Sequence, residues 1–289
     1  MLQQLVDDLY NNTPTVPLYH YTSLSGMMGI VNSKSIWTSE IKYLNDADEL
    51  RYLGKVANSI LALRSVSSDQ TVEIWRQFSD WIRERLDHGH MLFVGSFTEN
   101  GNLLSQWRGY CPPGKGVSIG FSPSVITAAV KRQSFLIGKC VYDRKAQDDI
   151  VERLLEAVLH TAVSQGPAPT NKKHPTQSYW DAFNSLELDI LRVAALLNNP
   201  AFREELEWRI VSPFHINYVQ APIKYREGPR MLVPYVEFSI ADENGVACFE
   251  NVYVGPTAHL NLTFNSIQRF LRKNAKCSKI SSSQLPYIG

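Results

Sequence analysis

The segment Glu205-Leu206-Glu207-Trp208-Arg209-Ile210-Val211 sets three charged side chains among four apolar ones. Read as a strand, its period of two puts Glu205, Glu207 and Arg209 on one face and Leu206, Trp208 and Ile210 on the other. Two carboxylates that close repel each other, and one has a raised pKa unless Arg209 compensates. Such a pair suits general acid/base work or the stabilisation of a cationic transition state. The alternative is a solvated edge with a cross-paired arginine.

Other polar residues stand inside apolar runs. In Leu18-Tyr19-His20-Tyr21-Thr22, alternation groups His20 with Leu18 and Thr22, and the two tyrosines with each other. His20 suits either a sugar hydroxyl or phosphate contact, or a core-edge position satisfied by a backbone carbonyl. In Trp37-Thr38-Ser39-Glu40, Ser39 is placed to bond a ligand and Trp37 to form an aromatic platform. Arg108, between Trp107 and Tyr110, would hold a phosphate well; equally, Trp107 and Tyr110 three residues apart seat a short helix on a core. Asp46, Asp48 and Glu49 offer a nuclease-like metal reading, but Asn45-Asp46 and Asp46-x-x-Glu49 have helix-capping spacing.

Several chemistries are excluded. Gly114-Lys115-Gly116 lacks the spacer and the Ser/Thr of a phosphate-binding loop, and there is no G-x-G-x-x-G or G-x-S-x-G. Cys111, Cys140, Cys248 and Cys277 are scattered, so neither a zinc site nor a disulfide framework is expected. The N-terminus MLQQLVDDLY lacks the cations and apolar run of a signal peptide, and no window of about 20 residues is apolar enough to span a bilayer. The expectation is a cytoplasmic protein with no membrane partner. Lys and Arg number 29 against 28 acids, giving a net charge of +1. That balance is uneven: Arg269, Arg272, Lys273, Lys276 and Lys279 occupy residues 251–289 without one acid among them. Helical spacing would place the first four largely on one side, with Phe264, Ile267 and Leu271 turned to the core.

The elements that must position these residues follow from periodicity. Helices are expected at Leu2–Tyr10, Leu24–Asn32, Asp46–Leu86 with a break near Ser65–Ser68, from Ser122-Pro123-Ser124, Asp148–Val163, Ser178–Leu197 and Leu262–Asn274. Strands are expected at 18–22, 36–39, 91–98, 117–121, 135–142, 206–211, 231–240, 249–254 and 279–288. Strands mixed with helices, without regular βαβ alternation, predict an α+β fold with a mixed or antiparallel sheet. One domain over 1–289 is expected, with a helical insertion around 148–200 and a linker-like 164–176.

Taken in order, several segments resemble a bacterial family classed as a domain of unknown function. They are Leu18–Thr22, Ile36–Glu49, Gly95-Ser96-Phe97, Leu104–Tyr110 running into Gly116–Phe121, Glu205–Val211, Val252–Pro256 and Ser282–Tyr287. Where that family often has Pro after the Asn-Asp pair, this chain has Ala47. The family is similar in turn to ADP-ribosyltransferases, including the DNA-targeting toxins, through Tyr19-His20-Tyr21-Thr22, Trp37-Thr38-Ser39 and Glu205-x-Glu207.

The resemblance implies an ADP-ribosyltransferase-like split sheet, NAD as substrate and no metal. It implies Glu207, with Glu205 as the alternative, as the catalytic carboxylate. His20, with Thr22 and Ser39, would hold the adenosine ribose. Tyr21 or Trp37 would stack on nicotinamide, and Arg108 would hold the pyrophosphate. The acceptor would be a nucleic acid or a protein, the setting a toxin or phage-defence system with an inhibitory antitoxin-like partner. A module of the same fold that binds a nucleotide or partner without chemistry is the alternative.

Overall fold

The computed structural model describes residues 1–43, 53–54, 69–170, 172–215, 219, 221–228 and 231–285. Most of the expected 46–68 helical stretch, with Asn45, Asp46, Asp48 and Glu49, lies outside the described residues, as do Pro286 and Tyr287 at the end of the expected last strand.

From the N-terminus run α1 (Leu2–Tyr10), β1 (Leu18–Ser23), α2 (Leu24–Ser33), β2 (Ser35–Glu40), α3 (Asp69–His88), β3 (Phe93–Thr98), α4 (Leu104–Tyr110), β4 (Gly116–Phe121), α5 (Pro123–Arg132) and β5 (Leu136–Lys139). Then come α6 (Arg144–Gln165), α7 (Trp180–Ala194), β6 (Glu207–Val211), β7 (Lys224–Glu227), β8 (Leu232–Ser239), β9 (Cys248–Val254), α8 (Leu260–Asn274) and β10 (Lys276–Ser282). Local chemistry sets the helix starts. The Ser23 side chain accepts from the Gly26 N–H at 3.0 Å to open α2. Ser122 caps α5, where Pro123 fills the first turn. Asp143 accepts from Ala146 N–H, which starts α6 at Arg144 rather than at the expected Asp148.

The strands form a mixed open sheet in the order β10-β9-β4-β1-β3-β2-β8-β7, with β6 paired to β3 and β5. Only β9 with β10 is parallel among the described pairs. The α+β expectation with a mixed sheet is what the structure has. The sheet separates two helical layers. Residues of α1, α3, α6 and α7 pack with Val94 and Val211 on one face. Those of α2, α5 and α8 pack with Leu18, Phe97, Ile119 and Ile210 on the other. The helices expected as an insertion around 148–200 thus build one of the two layers.

The register at β3 creates an opening. One edge of β3 pairs continuously with β6 from Val94 to Thr98. On its other edge β2 meets it at Phe93 and Val94, whereas β1 meets it at Thr98. Over Gly95, Ser96 and Phe97 the two strands diverge, leaving a gap at the centre of the sheet. Helix α2 lies close against β1 there: a Cβ at Gly26 would collide with Thr22 Oγ1, so a larger residue would require Thr22 to turn.

Two expectations are corrected. Glu205 and Glu207 do not share a strand face. Asn199 caps a 3-10 turn over Pro200–Glu205, with its side chain accepting from Ala201 N–H. Leu206 then adopts a left-handed φ of 44°, so the strand begins at Glu207 and Leu206 is 40% exposed rather than in the core. Secondly, α8 ends at Asn274, so Lys276 is not on its basic face; it opens β10 and bridges Asp242 at 2.7 Å. The core assignments of Ile267 and Leu271 hold.

Candidate functional site

A cavity of about 730 Å³ fills the gap where β1 and β2 part from β3. His20, Tyr21, Thr22, Trp37, Ser39, Glu205 and Glu207 all line it. Of the residues singled out from sequence, Arg108 is not in the lining; it is exposed on α4, whose Trp107 is buried. The cation that lines the cavity is Arg226 of β7, which donates to Ser39 Oγ at 3.2 Å.

Glu207 is buried at the start of β6 and tightly held. Arg209 Nε donates to its Oε1 and Arg209 Nη2 to its Oε2, both at 2.9 Å. Asn198 Nδ2 donates to Oε2 at 2.9 Å, and the Cys140 thiol points to it at 3.5 Å. Arg209 also donates from Nη1 to the Ala195 carbonyl, anchoring the pair to the end of α7. Burial pushes the Glu207 carboxyl upward. The attraction and hydrogen bonds of Arg209, with help from Ser96 and Cys140, outweigh it and hold the group below its ordinary value. Arg209 therefore compensates, and Glu207 is a fixed, ionised carboxylate rather than one with a raised pKa.

His20 Nδ1 lies 3.1 Å from the Ser96 carbonyl, which only accepts, so Nδ1 carries the proton and Nε2 of the neutral ring is an acceptor. Burial lowers the His20 pKa, partly opposed by the Ser96 bond. The neutral ring is thus the favoured form in the fold. As pH falls below about 6.5 the unfolded chain takes up a proton that the folded His20 resists, so stability declines until the lower folded pKa is passed. His215, lowered by burial, adds in the same direction. Urea unfolding at pH 7 and 5.5 should show a smaller acid loss in His20→Gln than in the parent chain.

The aromatic residues divide between two roles. Tyr21 is committed to the fold: its hydroxyl donates to the Asn100 carbonyl and accepts from Leu103 N–H, and its ring meets Trp107 edge-on at 4.7 Å. Trp37 is 44% exposed and stacks on Tyr235 at 4.5 Å, which leaves a face for a planar ligand.

Sequence reasoning missed Arg226, Ser96, Asn198 and Cys140. Lys224–Glu227 is short and largely exposed, with no apolar alternation to mark a strand. Asn198 and Cys140 reach Glu207 only through tertiary packing. The Asn199-Pro200 pair, a turn-opening signal, was the one cue that Glu205 leaves the strand.

With the geometry in hand, comparison with known proteins adds one likeness. Residues 106–210 match the family described as Protein of unknown function (DUF2971). That span runs from α4 through Glu207 and Arg209 and includes Cys140 and Asn198, but not β1 or β2. No curated protein matches the chain, and no solved structure does. Among the described residues, no three His, Cys, Asp or Glu side chains are grouped to hold a metal ion, and no helix is long and apolar enough to cross a membrane.

Proposed function

We propose that the cavity binds NAD and that the protein transfers ADP-ribose to a macromolecular acceptor, nucleic acid or protein. The observation carrying this reading is convergence: seven residues chosen from three separate segments line one cavity. Its volume, about 730 Å³, is within the usual range of small-molecule sites. The fold assigned by this reading is the ADP-ribosyltransferase type, with the divergence of β1 and β2 as its split.

The reaction breaks the bond from ribose C1′ to nicotinamide nitrogen, whose electron pair leaves with nicotinamide. The sugar gains oxocarbenium character, which a nearby anion stabilises, as in glycoside hydrolysis. Glu207, kept ionised by Arg209, supplies that charge. Its lowered pKa makes it a weak base, so the acceptor proton passes to Glu205, which is less buried. The acceptor oxygen or nitrogen then bonds to C1′. His20 Nε2 accepts from a ribose hydroxyl, Trp37 stacks on a base and Arg226 takes the diphosphate in place of Arg108. Uncontrolled, such transfer harms the cell that makes it, which fits a toxin or phage-defence effector with an inhibitory partner.

A second reading, a nucleotide-binding module without turnover, is favoured by the clamp on Glu207, whose two oxygens are both held by Arg209. Titration with NAD separates the two: both readings expect a rise in melting temperature, and only the first expects nicotinamide release. Arg226→Ala should weaken NAD binding by about tenfold or more, the worth of a charge-assisted hydrogen bond to phosphate. Unchanged affinity would remove Arg226 from the site.

A further inference from the structure

The two helical layers differ in charge. Helices α1, α3, α6 and α7 carry acids along their lengths, among them Asp7, Asp8, Glu73, Asp80, Asp148 and Asp149. Several cations in that layer are matched to acids: Arg76 bridges Glu73 and Asp80, Arg153 bridges Asp8, and Arg192 bridges Asp189. On the opposite face, α2, α5 and α8 contain no Asp or Glu at all. At the chain-wide frequency of 28 acids in 289 residues, helices of 10, 10 and 15 residues would hold about three.

This layer carries Lys131 and Arg132 at the end of α5, and Arg269, Arg272 and Lys273 on α8, all exposed. Among the described residues none of the five forms an ion pair with a carboxylate. The helix dipole favours cations in last turns, which accounts for part of the pattern. It does not account for first turns, where acids are favoured and none stands in α2, α5 or α8. Nearby, Asp242 is engaged by Lys276, leaving Glu243 as the unbridged acid of the β8–β9 turn.

We infer that this acid-free face docks the phosphate backbone of a nucleic acid. Arg269, Arg272 and Lys273 are spaced at i, i+3 and i+4 and share one side of α8, with Asn265 one turn before Arg269 to donate to phosphate or sugar. A lipid surface fits less well. A membrane-surface helix sinks its apolar side into the bilayer, but Ile267 and Leu271 are already buried in the protein core. The same layer reaches the cavity, since Ser25, Gly26 and Gly29 of α2 line it. Binding of this kind stands apart from NAD chemistry and is measured without it.

The test is fluorescence anisotropy of the full chain with labelled single-stranded and duplex oligonucleotides across a salt series. Wild type should bind with affinity that falls linearly in log–log form with salt. The variant K131Q/R269Q/R272Q/K273Q should bind at least about tenfold more weakly at about 50 mM salt, with a duplex slope reduced by about three units. R272Q/K273Q should show a smaller reduction of the same kind, and R76Q/R153Q on the opposite layer should change affinity by less than about twofold. The inference is overturned if wild type fails to bind either oligonucleotide at that salt, or if the four-site variant binds with wild-type affinity and slope. It is overturned equally if anionic vesicles, and no oligonucleotide, are bound in a manner lost with the four cations.

Discussion

Glu207→Gln should cost about 3–5 kcal/mol of folding stability, because it removes the buried carboxylate that pairs with both Nε and Nη2 of Arg209. Arg209 is 3% exposed, and besides Glu207 it donates to the Ala195 carbonyl. On sequence alone the substitution looks structurally mild, since shape is kept and only charge is lost. The structure reverses that judgement. Adding Arg209→Met, which removes the stranded charge and keeps an apolar stem, should recover much of the loss, since a buried ion pair replaced by apolar groups is often nearly neutral. Denaturant unfolding of the single and double variants reads this directly. Similar stability for Glu207→Gln and wild type would mean that the pair is solvated rather than buried.

Glu205→Gln should behave in the opposite way. Glu205 ends a 3-10 turn at the cavity and is partly exposed, so its stability cost should stay under about 1 kcal/mol. If Glu205 takes the acceptor proton as proposed, the substitution should lower transfer by about 10²- to 10⁴-fold. Release of nicotinamide to water, which needs less help with deprotonation, should fall less. If transfer survives Glu205→Gln but fails in a folded Glu207→Gln/Arg209→Met chain, Glu207 performs both roles and Glu205 belongs to the rim.

The pieces legible in the sequence are those decided by local rules. Ser23, Ser122 and the apolar period of α8 mark their elements because capping and helical spacing act within a few residues. Alternation in Leu18–Thr22 separates His20 from the tyrosines, and the structure keeps that separation, with His20 on Ser96 and Tyr21 on Trp107. What was illegible depends on pairing between distant strands. Nothing in Phe93–Thr98 says that β1 and β2 reach opposite ends of one edge and leave a cavity between. Arg226 enters that cavity only because β7 pairs with β8, which in turn flanks β2. The Glu205 error is of a third kind: a strand period was extended two residues too far, across a left-handed Leu206 that no propensity favours.

The central claim is that this cavity binds NAD and cleaves its nicotinamide–ribose bond. The most direct measurement follows release of nicotinamide from ring-labelled NAD by the purified chain, alone and with single-stranded DNA, RNA or cell-extract protein. The account predicts release by wild type that rises with one class of acceptor and is reduced in His20→Ala and Glu205→Gln. Absence of release with every acceptor, together with an unshifted melting temperature at millimolar NAD, would contradict it.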